Sequence, residues 1–208
     1  MQGYITLECE STGEYEEKRS KFIANIKPVQ TEEEASVFIK EMKTKYWDAK
    51  HNVFAFVLKD GTARFSDDGE PHSTAGKPVL DIITGRGLVN VCVVVTRYFG
   101  GVLLGTGGLV RAYSEATKTA IDNGSVIEMG LLGLFSITCD YQQYNRVTPF
   151  IENFEGQITD TVFTDNVLVK FSLIDSFKEN FEKELIEAFA GRLSIKEEGK
   201  IFAKVKKL

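Results

Sequence analysis

The pattern of hydrophobic and polar residues gives its strongest signal between Val91 and Tyr113. This stretch begins with an unbroken apolar run, Val91 to Val95, which is rich in β-branched residues and too short to span a membrane. Such a run is typical of a strand that is buried on both faces. After a series of glycines, apolar and small residues recur at helical spacing from Leu109 to Ala120. The stretch therefore predicts a strand, a glycine-rich connection and a helix.

Similar patterns predict the other elements of the N-terminal part of the chain. Thr31 followed by Glu34 has the form of a capping box, which predicts the start of a helix. Residues 11–13 are predicted to form a turn. The remaining predicted elements are strands over residues 4–9, 13–29 and 53–58, a short helix after residues 74–78, and a last strand with a linker within residues 125–135. We expect the helices to cover a sheet.

A different order of elements begins near Leu134. It consists of a strand, a helical stripe, two strands joined at residues 165–166, a helix that opens at Ser176, and a final strand. The order βαββαβ is the signature of a ferredoxin-like split βαβ domain. Pro149 lies within the first of these helices, where it removes a hydrogen bond. The patterns therefore predict an α+β protein of two domains, joined near residues 130–136.

Composition and charge narrow the classes of function. The chain has 208 residues, of which 43% are hydrophobic and 26% charged, as is usual for a soluble globular protein. The formal net charge of −5 argues against a globally basic nucleic-acid binder, although a local basic patch stays possible. Cys9, Cys92 and Cys139 are odd in number and widely spaced, which fits a reducing cytoplasm. With no apolar run long enough for a membrane span and no signal peptide, we expect a cytoplasmic protein without a membrane partner.

The glycine-rich connection carries the candidate chemistry. Glycines permit positive φ angles and let a ligand or another backbone come close. Free amides at the helix start favour an anion, and Arg97 and Arg111 stand on either side of the glycines. The same passage also suits tight packing alone, so both interpretations remain open at this point. No Walker or dinucleotide-binding pattern is present.

We expect Arg97, Arg111 and the five glycines between them to surround one concave, electropositive feature, with Arg111 on the first turn of the helix. Tyr98 and Phe99 would stack on bases or, alternatively, cap the strand as core residues. The candidate anion- or nucleic-acid-binding residues are Arg97, Tyr98, Phe99, Gly100, Gly101, Gly105, Gly107, Gly108, Arg111 and Lys77.

Asp67, Asp68 and Glu70 form an acidic cluster in a loop. Three carboxylates are suitable ligands for Mg²⁺ or Ca²⁺, but the spacing is not that of an EF-hand, and surface turns often contain such residues. We therefore expect all three to be exposed and to hold no metal. Ser73 and His72 beside Asp67 do not form a nucleophile elbow. No catalytic residue, metal or cofactor is predicted.

Four segments closely resemble the IMPACT N-terminal family, in particular its bacterial YigZ/YvyE-type members with a C-terminal ferredoxin-like domain. They are RSKFIA at residues 19–24, DDGEP at 67–71, TAGKP at 74–78 and VVVTRYFGGVLLGTGGLVRAY at 93–113. One departure is visible, because members of the family usually carry Ser-Gly where this chain has His72 and Ser73. If that loop has a role that depends on its backbone, its geometry here needs to be tested.

The resemblance implies an IMPACT-type domain over residues 1–133 with a ribosomal-protein domain-2-like fold. It also implies a ferredoxin-like domain over residues 136–208 that is similar to the last domain of elongation factor G. Eukaryotic members act in translational control by binding a large regulator of a stress kinase. For bacterial members the resemblance implies a connection to translation or RNA, and it brings no established catalytic residues.

Three functions follow as hypotheses. The leading one is a non-catalytic, translation-associated regulator that binds RNA, the ribosome or a translation-factor protein through the region from Arg97 to Arg111. The second is an enzyme acting on a phosphorylated small molecule, with Asp67, Asp68 and Glu70 holding Mg²⁺. The third is a pure protein-interaction scaffold.

Overall fold

A computed structural model describes residues 3–207, and it divides into two units that consist mainly of residues 4–128 and 129–205. The elements of the first unit are strands β1 (Tyr4–Leu7), β2 (Ser11–Glu17), β3 (Ser20–Pro28), β4 (His51–Val57), β5 (Ala63–Ser66) and β6 (Val91–Tyr98), and helices α1 (Glu32–Lys45), α2 (Gly76–Gly85) and α3 (Gly105–Asp122). Five of the strands form an antiparallel sheet in the order β2-β3-β6-β4-β5. The strand predicted to be buried on both faces, β6, is therefore the central one.

The alternation of side chains along β6 explains its apolar run. Val91, Val93 and Val95 lie in the core under α2 and α3, whereas Cys92 and Val94 lie in a second core under α1. Because both faces are covered, a run without polar interruption is required, and the predicted burial on both faces is confirmed. Burial raises the pKa of the Cys92 thiol to about 12, so this residue packs as a small neutral hydrophobe.

The second unit has the predicted ferredoxin-like order. Its elements are β7 (Val126–Cys139), α4 (Tyr141–Asn153), β8 (Gln157–Phe163), β9 (Val167–Ile174), α5 (Lys178–Ala188) and β10 (Lys196–Lys207). The strands are neighbours in the order β10-β7-β9-β8, and a core rich in phenylalanine includes Phe135, Phe171 and Phe181. Asp140 forms a capping box at the start of α4, and this helix runs through Pro149.

Several boundaries differ from the sequence-based predictions. The strand predicted over residues 13–29 is two strands, because Lys18 and Arg19 have φ values of 47° and 66° and form the turn between β2 and β3. The turn predicted at residues 11–13 is instead part of β2. Residues 130–136, predicted as the junction, lie within the 14-residue strand β7. A short 3₁₀ turn precedes α5, and Ser176 does not cap this helix.

Within residues 3–207, no helix is both long and apolar enough to cross a membrane.

Candidate functional site

The acidic loop between β5 and α2 is held in place by its own carboxylates. Asp67 accepts hydrogen bonds from the backbone N–H groups of Ala75 at 3.1 Å, Gly76 at 2.8 Å and Ser73 at 2.8 Å. The residue that precedes α2, Ala75, has no side chain that can cap the helix. Asp67 therefore supplies from the loop the cap that α2 lacks.

Asp68 ties the same loop to β4. One carboxylate oxygen accepts a hydrogen bond from the Asn52 N–H at 2.7 Å, and the other pairs with Lys43 Nζ at 2.8 Å. The Asp68 carbonyl lies 2.8 Å from His51 Nδ1, and since a carbonyl only accepts, this ring nitrogen carries the proton. The side chain of Asp68 is half-buried, and each of its two oxygens has a partner in these contacts.

Glu70 is the buried member of the cluster, with only 3% of its side chain exposed. Its Oε1 accepts hydrogen bonds from Arg97 Nη1 at 2.7 Å and from the Tyr113 hydroxyl at 2.8 Å. Burial and the negative charge of Glu70 raise the pKa of Tyr113, so this hydroxyl stays protonated and donates. Glu70 thereby joins the loop to the end of β6 and to α3.

The expectation that Asp67, Asp68 and Glu70 are exposed is therefore wrong. Each carboxylate has a separate structural task, and the three do not converge on one point. Among the described residues, no three His, Cys, Asp or Glu side chains are grouped as they would be around a shared metal ion. The Mg²⁺-binding set that the enzyme hypothesis needs is consequently dispersed.

Arg97 is a buried cation whose hydrogen bonds are incomplete. The residue is 7% exposed, and its Nη1 pairs with Glu70. Its Nε is buried and has no hydrogen-bond partner among the described residues. The guanidinium lies over the rings of Phe22, at 5.5 Å, and Phe99, at 5.6 Å. Buried donors normally have a hydrogen-bond partner, so the unpartnered Nε of Arg97 calls for an explanation.

Arg97 lines a cavity of about 460 Å³ in the first unit, which we name the α3 pocket. The residues that line it are Lys50, His51, Glu70, Pro71, Arg97, Phe99, Leu103, Leu104, Gly105, Thr106 and Leu109. Charged and polar groups thus share the pocket with an apolar wall. Phe99 is 52% exposed and forms part of that wall.

The N-terminus of α3 lies at the same pocket. The 18-residue helix begins at Gly105, the side chain of the preceding Leu104 does not cap it, and no other side chain within residues 3–207 accepts from its first amides. Gly105 has a φ of 73°, a conformation that favours glycine, and it brings no side chain that could accept from the first amides. The first N–H groups of a helix have no partner inside it, and together they carry a partial positive charge. This helix start is therefore suited to an anion.

Two other predicted residues at the end of β6 have structural contacts. A Cβ on Gly100 would lie 2.1 Å from the backbone of Arg19, so glycine is required there for close packing. The Gly100 N–H also donates to Ser20 Oγ at 3.0 Å. The Tyr98 hydroxyl donates to Asp48 at 2.8 Å. At these positions the structure favours the packing interpretation of the glycine-rich passage.

The predicted glycines divide between the connection and the helix. Gly101 lies in the connection, is exposed and has a φ of 84°. Gly105, Gly107 and Gly108 belong to the first turn of α3. The helical spacing in the sequence had predicted a later start for this helix, at Leu109. Of these glycines, Gly105 lines the α3 pocket.

The structure does not bring Arg111 or Lys77 to the α3 pocket. Because α3 begins at Gly105, Arg111 lies in its second turn and not in the first, as was predicted. Burial and Glu17 raise the pKa of the Tyr15 phenol on β2, and the positive charge of Arg111 opposes this shift. Lys77 pairs with Asp81 on the exposed side of α2. The pocket therefore contains Arg97, Phe99 and Gly105 of the predicted set.

Lys50, His51 and Thr106 line the pocket and were not predicted as site residues. His51 is the register partner of Arg97 across the pairing of β4 with β6, which places Lys50 and His51 beside the end of the central strand. No motif in the sequence marks them, because strand register follows from the packed sheet and not from a local pattern.

Comparisons with known proteins extend over nearly the whole chain. The profile of the Impact N-terminal domain matches residues 18–121, and that of a domain of unknown function matches residues 137–192. The IMPACT family member YvyE of Bacillus subtilis is 32% identical over 199 residues, which are 95% of this chain and 92% of that protein. An IMPACT family member of Haemophilus influenzae is 36% identical over 202 residues, 94% of this chain and 97% of that protein. A crystal structure described as that of a hypothetical protein is similar with a TM-score of 0.61 and 30% identity, and it covers 94% of this chain and 97% of its own.

Proposed function

This chain belongs to the IMPACT family, and we propose on that premise that it is a non-catalytic, translation-associated regulator that binds RNA, free or in the ribosome, through the α3 pocket. The observation that carries the proposal is the uncapped N-terminus of α3, which lies at a pocket together with Lys50 and Arg97. Helix amides and cationic side chains are the groups that bind RNA phosphates in proteins.

The apolar wall of the pocket supports the same proposal. Phe99 presents a half-exposed ring beside the helix N-terminus. Stacking of a base on such a ring contributes about 1–3 kcal/mol and tolerates different bases. A phosphate at the amides and a base on Phe99 together account for both halves of the pocket.

The net charge of −5 determines how strong the electrostatic part of binding can be. An acidic surface repels RNA outside the pocket, so only a few phosphates make contact. For single-stranded RNA each neutralised phosphate contributes about −0.7 to the slope of log K against log salt concentration. We expect a slope of about −1 to −2, which is much shallower than that of a basic RNA-binding protein.

The test measures binding of the full chain to single-stranded RNA and to ribosomes, with Lys50→Gln compared against Lys40→Gln. Both lysines are exposed, but Lys40 lies on α1 and does not line the pocket. We expect Lys50→Gln to weaken binding on the order of tenfold, because a charge-assisted hydrogen bond contributes about 1.5–3 kcal/mol. Lys40→Gln should bind as the unaltered protein does.

Two results would contradict the proposal. Equal binding by Lys50→Gln and Lys40→Gln would mean that the α3 pocket is not the RNA-binding site. Binding to ribosomes that persists after all accessible RNA has been digested would indicate a translation-factor or ribosomal protein as the partner.

A further inference from the structure

We infer that the α3 pocket takes the terminal phosphomonoester of a single nucleotide unit, so that RNA enters the pocket by its end. This inference rests on the proposed function and deepens it, because it names which part of the RNA is recognised. The ligand chemistry is a phosphomonoester attached to a nucleoside. A free mononucleotide and a phosphorylated RNA end both carry it, and the experiment below separates them.

The charges of the pocket match a monoester better than a diester. Lys50 and Arg97 bring two positive charges, Glu70 removes one, and the N-terminus of α3 adds about half a charge. The resulting excess of about 1.5 positive charges is close to the roughly 1.5–2 negative charges of a phosphomonoester at neutral pH. An internal phosphodiester carries a single negative charge and would leave part of this excess unmatched.

Arg97 gives a second, independent indication of an anionic ligand. Its side chain is more than nine-tenths buried and lines the pocket, and its Nη1 donates to Glu70. The buried Nε is without a hydrogen-bond partner among the described residues. A phosphomonoester has three terminal oxygens that accept hydrogen bonds strongly, enough for the helix amides and for the side chain of Arg97, which lines the pocket.

The size and the wall of the pocket limit the rest of the ligand. A cavity of about 460 Å³ lies in the range of small-molecule sites and has room for one nucleotide unit, not for a length of strand. Its apolar wall offers Phe99, Leu103 and Leu109 to a base. One nucleotide therefore fills both the polar and the apolar parts.

Two of the predicted cations are not available to a strand lying across the surface at the pocket. Such a strand needs further cations along its path, and Arg111 and Lys77 lie elsewhere, with Lys77 paired to Asp81. The protein as a whole is acidic. An RNA end that is inserted into the α3 pocket needs only the charges that line the pocket for its binding.

The experiment measures the affinity of the full chain for four probes at one salt concentration. They are a short single-stranded RNA with a 5′-phosphate, the same RNA with a 5′-hydroxyl, the same RNA with a 3′-phosphate, and the nucleoside 5′-monophosphate of its first base. We expect at least one phosphorylated end to bind about tenfold or more tightly than the hydroxyl form, and the mononucleotide to compete for the site. Comparing the two phosphorylated RNAs identifies the end.

A pair of variants locates the effect. Thr106→Glu places a negative charge at the second residue of α3, inside the pocket, and should abolish the preference for a phosphorylated end. Lys77→Gln removes one positive charge at the second residue of α2, outside the pocket, and should leave the preference unchanged. Thermal melting of both variants checks that they fold.

The outcomes separate this inference from the proposed function. If RNA binds through Lys50 but the hydroxyl and phosphorylated forms bind equally, the inference is wrong and the proposed function stands. If the mononucleotide binds and neither RNA nor ribosomes do, the proposed function is wrong and a free nucleotide is the ligand. A preference that survives in a folded Thr106→Glu variant also overturns the inference.

Discussion

The N-termini of α2 and α3 share one sequence feature and differ in structure. Each helix begins at a glycine, Gly76 or Gly105, and follows a residue, Ala75 or Leu104, whose side chain cannot cap. At α2 the carboxylate of Asp67 accepts from the first amides, whereas no side chain in the described part of the chain does so at α3. A glycine-rich helix start becomes a candidate anion site when the surrounding fold leaves its amides free.

The capped helix start also shows what a ligand would do at the open one. Asp67 brings a negative charge to the start of α2, where its Oδ1 accepts from the N–H groups of Ala75 and Gly76. A phosphate bound at α3 would bring the same kind of group from outside the protein. The fold thus uses one helix start for its own stability and leaves the other available.

The largest expected effect concerns Glu70, the carboxylate of the same loop that points to the α3 pocket. Glu70→Ala leaves Arg97 buried without its ion-pair partner, and loss of one partner of a buried pair costs about 3–5 kcal/mol. We expect the free energy of unfolding, measured with denaturant, to fall by this amount. Tyr113→Phe, which removes the other hydrogen bond to Glu70, should cost less, about 1.5–3 kcal/mol. A Glu70→Ala variant as stable as the unaltered protein would show that the pair is not needed for folding.

The second effect concerns the cap of α2. Asp67→Ala removes the acceptor of three backbone N–H groups, and we expect it to lower the free energy of unfolding by about 2 kcal/mol. Asp67→Asn keeps one acceptor oxygen, and its free energy of unfolding should lie between those of Asp67→Ala and the unaltered protein. If Asp67→Ala unfolded at the same denaturant concentration as the unaltered protein, Asp67 would not be the cap of α2.

The smallest effect tests the two helix starts directly. A glutamate in the first turn of a helix stabilises it by about 0.3–1 kcal/mol through the helix dipole. Thr106→Glu should therefore raise the free energy of unfolding slightly at the open start of α3. Lys77→Glu, at the matching position of α2, should bring no gain, because Asp67 already occupies that start and Asp81 lies one turn away. Equal gains at both positions would show that the two starts do not differ.

The departure of this chain at His72 and Ser73 lies in the loop that caps α2. Ser73 has a φ of 59°, a left-handed conformation that costs a residue with a side chain about 1–2 kcal/mol. Its N–H nevertheless donates to Asp67, and its hydroxyl contacts His72 Nδ1. Position 73 thus keeps a backbone geometry that suits glycine although a serine occupies it.

The sequence alone determined the elements whose burial follows from local patterning. The apolar run from Val91 to Val95 required a strand covered on both faces, and β6 is that strand. The alternation of strands and helical stripes after Leu134 determined the ferredoxin-like order. These features are predictable because hydrophobic periodicity is a property of neighbouring residues.

Only the tertiary structure decided which groups meet at the α3 pocket. Glycine has a low helix propensity, so no local pattern showed that Gly105 already belongs to α3 and that Arg111 lies a turn too far along. The register of β4 against β6 brought His51 to Arg97, and the packing of α3 against the loop brought Tyr113 to Glu70. Contacts between residues distant in sequence depend on how whole elements pack, and a local pattern cannot specify them.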